Sequence, residues 1–279
     1  MFSTFSRRGV VAAVALLLLA VVATFVTVSP HVRRTLTPPS FRIYYGIDLA
    51  RANPMLRMCV EAGAECEWVT NSSAVLSVVS CREGEGQHHV QGVGTGDTFA
   101  PPVLEDISAG GKLISQSVAS SLYMAERIGF GVGPDAWRSA KAVQYMADLN
   151  DMQSELIDRY SDYWKAGGDW GRMRTWNEGG RLASWLTNIE RSIASPFYFG
   201  DALTAPDFYL VGVMGYMEVM NPAFRKNLLA DYPKASAVVA AVTALPGWQA
   251  SSWKDRPILM LPALSEAQLA AYEAMPVST

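Results

Sequence analysis

The pattern of hydrophobic and polar positions changes twice along the chain. Residues 9–28 are almost all Val, Ala and Leu, and none of them is charged. In residues 41–130, short apolar or alternating segments are separated by Gly, Pro and polar residues, which favours strands, turns and short helices. From residue 136 onward, apolar residues recur every three or four positions over long stretches, as is typical of helices. The pattern predicts an apolar N-terminal segment, an α/β region and an all-helical region.

The apolar segment at residues 9–28 is long enough, as a helix, to cross the hydrocarbon core of a lipid bilayer. Arginines lie on both sides of it, so the charge pattern leaves its orientation open. We expect a single-pass membrane protein whose soluble part lies on the cytosolic side, with a lumenal or secreted location left open. The alternative is a cleaved signal peptide, with Val21 and Ala23 as a small-residue cleavage site. Residues 35–40, which include two prolines, are predicted to be a short spacer.

The α/β region begins with a strand, a helix and a second strand. Residues 41–45 alternate, and this places Phe41, Ile43 and Tyr45 on one face of a strand. A helix follows, for which Asn53 is the expected cap and Gly63 the expected stop. Residues 65–69 then alternate again, which completes a predicted βαβ unit.

The remainder of this region predicts a hairpin and a helix. Residues 71–97 are rich in Ser, Gly and polar residues, and we assign no element to them. Residues 101–106 and 112–114 flank Gly110-Gly111 and predict a β-hairpin. A helix is expected to open at residues 115–117 and to end at Gly129.

The region after residue 133 predicts long helices, such as 136–164 and 180–193. The segment YFGDALTAPDFYL contains a capping box between Thr204 and Asp207, with Pro206 in the first turn of the helix that it starts. We therefore expect an all-α domain.

Composition narrows the function classes. The formal net charge of −3 and the absence of a long basic run argue against nucleic-acid binding. The three cysteines form no Cys-x-x-Cys pair, and we expect them to be ordinary thiols rather than a disulfide framework. Three histidines, of which His88 and His89 are adjacent in a Gly-rich stretch, are too few for a zinc site, so no metal is expected.

Several segments resemble the glutathione S-transferases of the tyrosine type, which include the sigma, alpha, mu and pi-like classes. RANPMLRMCVEAGAECEWV is similar to the first helix and second strand of that family, and PPVLED...GGKLISQSVASSLYMAERIG to its hairpin and following helix. YFGDALTAPDFYL is similar to the capping motif of its helical domain, and YPKASAVVAAVTALPGWQASSWKDRP to its last helices.

The resemblance implies a thioredoxin-like glutathione-binding domain at residues 41–130 and an all-α bundle at residues 134–262. In this interpretation residues 1–40 form a tail, one transmembrane helix and a spacer, and residues 263–279 form a C-terminal tail. Family members usually form homodimers, and we expect the same here.

The resemblance also assigns candidate site residues. Tyr45 falls on the family's catalytic tyrosine and Arg51 on an arginine near the sulfur; a tyrosine hydroxyl that donates to the glutathione thiolate would lower the pKa of the thiol. Tyr44 points to the opposite face and is the lesser candidate. Gln116 and Ser117, at a helix N-terminus, would bind the γ-glutamyl end of glutathione.

Three further residues would face the cysteinyl part of glutathione: Pro101, Pro102 and Val103. Pro102 falls on the family's cis-proline. Pro101 has no N–H, so one backbone hydrogen bond to glutathione that the family normally makes cannot form. The family's contacts to the glycyl end cannot be placed in residues 71–97.

The leading hypothesis is a glutathione transferase with glutathione as co-substrate. It would act on small hydrophobic electrophiles, or isomerise or reduce lipid-derived substrates. The alternative is a non-catalytic glutathione-transferase-like module for binding or assembly at a membrane. A structural membrane protein without a ligand is the third possibility.

Overall fold

The structure is a computed structural model that describes residues 38–80 and 97–275. Within these residues, four strands form one mixed sheet in the order β2-β1-β3-β4. The strands are β1 Ser40–Tyr44, β2 Glu65–Val69, β3 Val103–Asp106 and β4 Lys112–Ser115. Strand β1 runs parallel to β2 and antiparallel to β3, and β3 runs antiparallel to β4. This sheet confirms the predicted βαβ unit followed by a hairpin.

Helices make up most of the remaining described residues. They are α1 Asn53–Ala62, α2 Ser72–Ser77, α3 Ser117–Ile128, α4 Ala136–Lys165, α5 Gly171–Glu178, α6 Arg181–Ser192, α7 Ala205–Met220, α8 Pro233–Thr243, α9 Pro246–Ala250 and α10 Glu266–Ala274. Short 3-10 turns lie at Ala50–Ala52, Ile107–Ala109, Pro222–Lys226 and Ser252–Asp255.

Strand β1 and helix α1 form the centre of the α/β region. Phe41 and Ile43 on β1 are buried as the alternation predicts. Helix α1 ends at Gly63, whose φ of 62° lies in the left-handed region that glycine adopts without steric cost. We had expected Asn53 to cap α1, but it does not. The preceding turn Ala50–Ala52 runs into the helix and makes Ala52 the N-cap. The Asn53 side chain instead accepts a hydrogen bond from Arg57.

Helix α7 is the central helix of the all-α region. It is buried along almost its whole length and packs against α1, α4 and α8. The predicted capping box is present at its start: Asp207 accepts hydrogen bonds from the backbone N–H and the hydroxyl of Thr204, at 2.8 and 2.9 Å. A third donor is the N–H of Tyr198, at 2.9 Å. These contacts fix the entry of α7 into the core.

Two local predictions were wrong. Helix α2 lies in the stretch to which we had assigned no element; Asn71 caps it by accepting from the N–H of Ala74. The sulfurs of Cys59 and Cys66 are bonded to each other, so these two residues are not ordinary thiols. The reason is tertiary: the chain turns back between the last turn of α1 and the start of β2, which brings the two Cα atoms to 6.5 Å. His88, His89 and Cys81 lie outside the described residues.

The predicted localisation as a single-pass membrane protein must be corrected. Across residues 38–80 and 97–275, no helix combines the length and the apolar character that crossing a membrane would require. The segment at residues 9–28, on which the predicted anchor and its contact with the bilayer rested, lies outside the described residues.

Candidate active site

The predicted site residues meet at one end of the sheet. In the strand register, Tyr44 at the end of β1 pairs with Val103 at the start of β3, and Val103 pairs with Ser115 at the end of β4. The residues just beyond these pairs are therefore neighbours. They are Tyr45 after β1, Pro101 and Pro102 before β3, and Gln116 and Ser117 after β4.

Tyr45 packs against the core immediately after β1, where its N–H donates to the carbonyl of Val69 at 3.1 Å. Burial raises the pKa of its phenol, and the nearby carboxylate of Asp48 raises it further. The backbone N–H and the positive charge of Arg51, and then the hydroxyl of Tyr216, act in the opposite direction. Because the net shift is upward, Tyr45 keeps its proton at neutral pH and can act as a hydrogen-bond donor.

The loop after Tyr45 is held by a segment from the C-terminal part of the chain. The N–H groups of Leu49 and Ala50 donate to the carbonyls of Pro257 and Ile258, at 2.9 and 2.8 Å. The carboxylate of Asp48 accepts from the N–H of Met260 at 3.3 Å. Ala50 has a positive φ of 29°, so the chain turns sharply before it enters α1. Arg51 lies in this turn, close enough for its charge to act on the Tyr45 phenol.

Helix α7 presents one face to this turn. Tyr209, Gly212 and Tyr216 follow at intervals of three and four residues, which lie on the same side of a helix. Gly212 allows close approach, because a Cβ added to it would lie 3.1 Å from the ring of Pro54. A narrow cavity at this contact is lined by the following residues: Ala50, Arg51, Pro54, Gln153, Tyr209, Gly212 and Val213.

Ser117 is connected to α7 by a chain of hydroxyl groups. Its Oγ lies 2.8 Å from the hydroxyl of Tyr209, which donates to Oδ1 of Asn150 at 3.3 Å. Since the single proton of Tyr209 is used toward Asn150, Ser117 is the donor to Tyr209. The side chain of Ser117 is buried in this contact, so what it can offer a ligand is its backbone N–H at the start of α3.

Gln116 precedes α3 with φ 73° and ψ 121°. A positive φ is uncommon for a residue other than glycine, and residues held in this way cluster at binding and active sites. Its side chain is exposed, while its carbonyl accepts from the N–H of Ser120 at 2.9 Å. The first turn of α3 therefore follows an exposed amide side chain and carries free N–H groups, an arrangement that suits a carboxylate.

The peptide bond between Pro101 and Pro102 is cis, as the family resemblance implied. Pro102 and Val103 are buried, and Pro101 is partly exposed. Tyr44 lies on the opposite face from Tyr45 and its hydroxyl donates to Glu105 at 2.7 Å, so it takes no part in the site. In residues 38–80 and 97–275 no group of His, Cys, Asp and Glu is arranged to hold a metal ion.

The sequence pattern did not identify the two tyrosines of α7, Tyr209 and Tyr216, as residues near the site. Tyr209 is 92 residues away from Ser117 in the sequence, and Tyr216 is still farther from Tyr45. Both tyrosines are buried in a helix that is apolar on all sides. The one available signal was their spacing of seven residues, interrupted by Gly212, which places two hydroxyl groups on one face.

The helical region matches a known family model. Residues 172–250 match the model described as "Glutathione S-transferase, C-terminal domain". No curated protein matches the chain.

Solved structures of a glutathione transferase and of a prostaglandin synthase share the fold. A nematode-specific glutathione transferase of C. elegans has 20% identity and a TM-score of 0.55, over 80% of this chain and 100% of that one. Prostaglandin synthase D of Nilaparvata lugens has 15% identity and a TM-score of 0.54, over 76% and 96%.

A third similar structure contains a relative of glutathione. It is a glutathione transferase of Methylobacterium radiotolerans in complex with glutathione sulfonate, with 15% identity and a TM-score of 0.56, over 81% of this chain and 98% of that one. The described part of this chain therefore has the glutathione S-transferase fold, a thioredoxin-like sheet followed by a helical domain that matches the family's C-terminal domain.

Proposed function

We propose that this protein is a glutathione transferase in which Tyr45 stabilises the thiolate of bound glutathione. The observation that carries the proposal is the register Tyr44–Val103–Ser115, which brings a partly buried tyrosine, a cis-proline turn and a helix N-terminus to one end of the sheet. These are the three groups that a γ-glutamyl-cysteinyl ligand needs.

Tyr45 supplies the chemistry. A free thiol has a pKa of about 8.5, so most of it is protonated and a poor nucleophile at neutral pH. A neutral phenol that donates to the sulfur favours the thiolate and lowers that pKa. The upward shift of the pKa of Tyr45 keeps the phenol protonated for this task, and Arg51 adds positive charge beside it.

The start of α3 binds the γ-glutamyl end. The exposed side chain of Gln116 and the backbone N–H of Ser117 are the donors, and the helix dipole favours the carboxylate. The cysteinyl part lies along Pro101, Pro102 and Val103, where the carbonyl of Pro101 accepts a hydrogen bond. The missing N–H of Pro101 costs one hydrogen bond, about 1 kcal/mol of affinity.

The electrophile is a small hydrophobic molecule. Three large apolar side chains are exposed beside the loop that follows Tyr45: Ile47 at 51%, Met260 at 60% and Leu261 at 36%. Met260 is held there by its hydrogen bond to Asp48. An apolar substrate at this place would cover them and gain from their burial. Isomerisation of a lipid-derived substrate uses the same surface, and the similarity to a prostaglandin synthase D is consistent with it.

A second function, a non-catalytic glutathione-transferase-like binding or assembly module, is favoured by two features of the same site. The hydroxyl of Ser117 is already hydrogen-bonded to Tyr209, and Pro101 has no N–H. Both features reduce the number of donors for glutathione. In either case the protein is proposed to form a homodimer.

The test uses the full-length protein. Turnover of a generic aryl halide with glutathione is measured for the parent and for Tyr45→Phe, with Tyr44→Phe as the matched control on the opposite face of the same strand end. We expect the parent to be active, Tyr45→Phe to lose about tenfold or more, and Tyr44→Phe to retain its rate. A folded parent that neither turns over the aryl halide nor binds glutathione would refute the enzyme and leave the binding or assembly module.

A further inference from the structure

Helix α5 has a groove along one of its faces. The groove has a volume of about 430 Å³, which is within the range of small-molecule sites, and it shares no lining residue with the narrow cavity beside Arg51. Gly171, Thr175 and Gly179 line it at intervals of four residues, so they lie on one side of α5. Because these residues have small side chains or none, space remains beside the helix.

Three arginines line the same groove, and we call it the arginine groove. Arg159 belongs to α4, Arg172 to the first turn of α5 and Arg181 to the first turn of α6. Three helices thus bring a positively charged side chain to one space. Trp176 lines the groove as well and provides an aromatic surface beside the charged groups.

Two carboxylates of α4 hold these arginines. Asp162 lies 2.5 Å from Nη1 of Arg172 and 3.7 Å from Nη1 of Arg159. Glu155 accepts a hydrogen bond from Nε of Arg181 at 3.1 Å. The hydrogen bonds from Arg181 lower the pKa of Glu155 to about 2, so this carboxylate is ionised at neutral pH. The guanidinium groups are therefore held before a ligand arrives, which reduces the entropy lost on binding.

Each guanidinium group keeps donors for a ligand, because it carries five N–H bonds. In the described part of the chain, the ion pairs and hydrogen bonds engage Nη1 of Arg159 and of Arg172, and Nε and Nη2 of Arg181. Nη2 of the first two arginines and Nη1 of the third remain available. A further carboxylate, that of Asp169, accepts the N–H of Gly171 at 2.7 Å and is not paired with these arginines.

These donors suit a phosphate group better than a carboxylate. Near neutral pH a phosphate monoester carries about 1.5 to 2 negative charges and has three strong acceptor oxygens. Arginine matches the geometry of phosphate through pairs of parallel N–H groups. Asp162 and Glu155 already supply carboxylates, so a ligand with one carboxylate would only compete with them, whereas a phosphate brings more charge. The volume of the groove also leaves room for an organic group beside Trp176.

We propose that the arginine groove binds a phosphate monoester through Arg159, Arg172 and Arg181, with the organic part of the ligand against Trp176. The groove lies in the helical region, and neither Tyr45 nor the start of α3 lines it. This site is therefore independent of the proposed function and can be tested without glutathione.

The test is isothermal titration calorimetry of phenyl phosphate with the full-length protein, at low salt and about pH 7.5, where the phosphate is mostly a dianion. We expect the parent to bind it and Arg172→Gln and Arg181→Gln each to bind about tenfold more weakly. The matched control is Arg42→Gln. It removes an arginine that is also partly exposed and paired with a carboxylate, Glu67 at 2.7 Å, but lies on β1. This control should bind as the parent does.

The source of the phosphate monoester is determined with vesicles. Phosphatidic acid carries this group in its headgroup, so sedimentation with phosphatidylcholine vesicles is compared with and without phosphatidic acid. Sedimentation that requires phosphatidic acid, and that Arg172→Gln loses but Arg42→Gln keeps, supports the proposal with a lipid as the source. Binding of phenyl phosphate without such sedimentation supports it with a soluble ligand.

Two further measurements distinguish the groove from a general effect of charge. Thr175→Trp leaves all three arginines in place but fills the groove, so it should abolish binding. Phenyl sulfate has the same ring but a single charge, and it should bind more weakly than phenyl phosphate. No binding by the folded parent, equal weakening in Arg42→Gln, unchanged binding in Thr175→Trp, or equal affinity for phenyl sulfate would overturn the proposal.

Discussion

The buried capping box at the start of α7 is expected to be a major source of stability. Asp207 is fully buried and accepts three hydrogen bonds, from the N–H of Tyr198 and from the N–H and hydroxyl of Thr204. In Asp207→Ala these three donors lose their acceptor in a place that water does not reach. Each buried donor without a partner costs about 1–3 kcal/mol, and the lost helix cap adds about 1 kcal/mol.

A second effect opposes the loss of stability that the removal of these hydrogen bonds would cause in Asp207→Ala. Burial raises the pKa of Asp207 to about 6, although its three donors lower it. The buried ionised carboxylate therefore destabilises the native state. Removing it should raise the free energy of unfolding by up to about 3 kcal/mol at neutral pH. The lost hydrogen bonds outweigh this gain, and we expect Asp207→Ala to lower the free energy of unfolding by about 3 kcal/mol at about pH 7.5.

The raised pKa of Asp207 also determines how the free energy of unfolding depends on pH. Between the unfolded value near 3.8 and the native value near 6, the native state binds more protons than the unfolded state. The parent therefore gains stability as the pH falls through this range, and the variant lacks this gain. The difference between parent and variant should grow by about 1 kcal/mol from about pH 7.5 to about pH 5.

The assay is urea unfolding of both proteins at the two pH values. The capping box of α10 provides the control, because there the N–H of Ser265 donates to Gln268 at 2.9 Å on an exposed surface. In Gln268→Ala the donors of Ser265 turn to water and the hydrogen bond from Gln268 to the Tyr163 hydroxyl is lost, so the free energy of unfolding should fall by about 1 kcal/mol. A loss below about 1 kcal/mol in Asp207→Ala, or a loss equal to that of the control, would show that the buried capping box is not a major source of stability.

Three further outcomes follow from other parts of the chain. Arg181 lowers the pKa of Glu155 from 4.5 to about 2, so this ion pair stabilises the native state above about pH 4.5 and the effect is lost as the pH falls toward 2. Because Arg181 is half exposed, Glu155→Gln should cost only about 1 kcal/mol near neutral pH, with no difference from the parent in urea unfolding near pH 2. Reduction of the disulfide between Cys59 and Cys66 should expose two additional thiols to a thiol reagent and lower the free energy of unfolding by about 2 kcal/mol, as expected for a short loop; an unchanged thiol count would contradict the bond. Gln116→Gly should preserve or slightly raise stability, by up to about 1 kcal/mol, because glycine adopts a positive φ without strain, but it should raise the KM for glutathione; a KM equal to that of the parent would exclude Gln116 from the binding site.

Local patterns were sufficient to predict most elements of the sheet region, although helix α2 was missed. The alternation at Glu65–Val69 gave its bounds without error, and the glycines at 63 and 129 ended helices as expected. These features depend on neighbouring residues, which a single sequence displays directly.

Most of the missed features depend on how the chain folds back or packs, even where the residues are close in sequence, as Cys59 and Cys66 are. The disulfide needed the return of β2 beside α1, and the two tyrosines of α7 needed the packing of that helix on the turn after β1. Asn53 looked like a cap because the 3-10 turn before it has no pattern of its own. The site residues that the family resemblance indicated meet at one end of the sheet. The residues of α7 that pack near Tyr45 could be identified only from the tertiary structure.

The role of Tyr45 in stabilising the thiolate is tested most directly by the pKa of the thiol of glutathione bound to the full-length protein. This pKa is measured from the ultraviolet absorbance of the thiolate as the pH is raised. In the parent we expect a pKa at least about one unit below the value of about 8.5 for a free thiol, and in Tyr45→Phe a pKa close to that of the free thiol. Binding of glutathione with an unshifted pKa, or the same shift in both proteins, would contradict it.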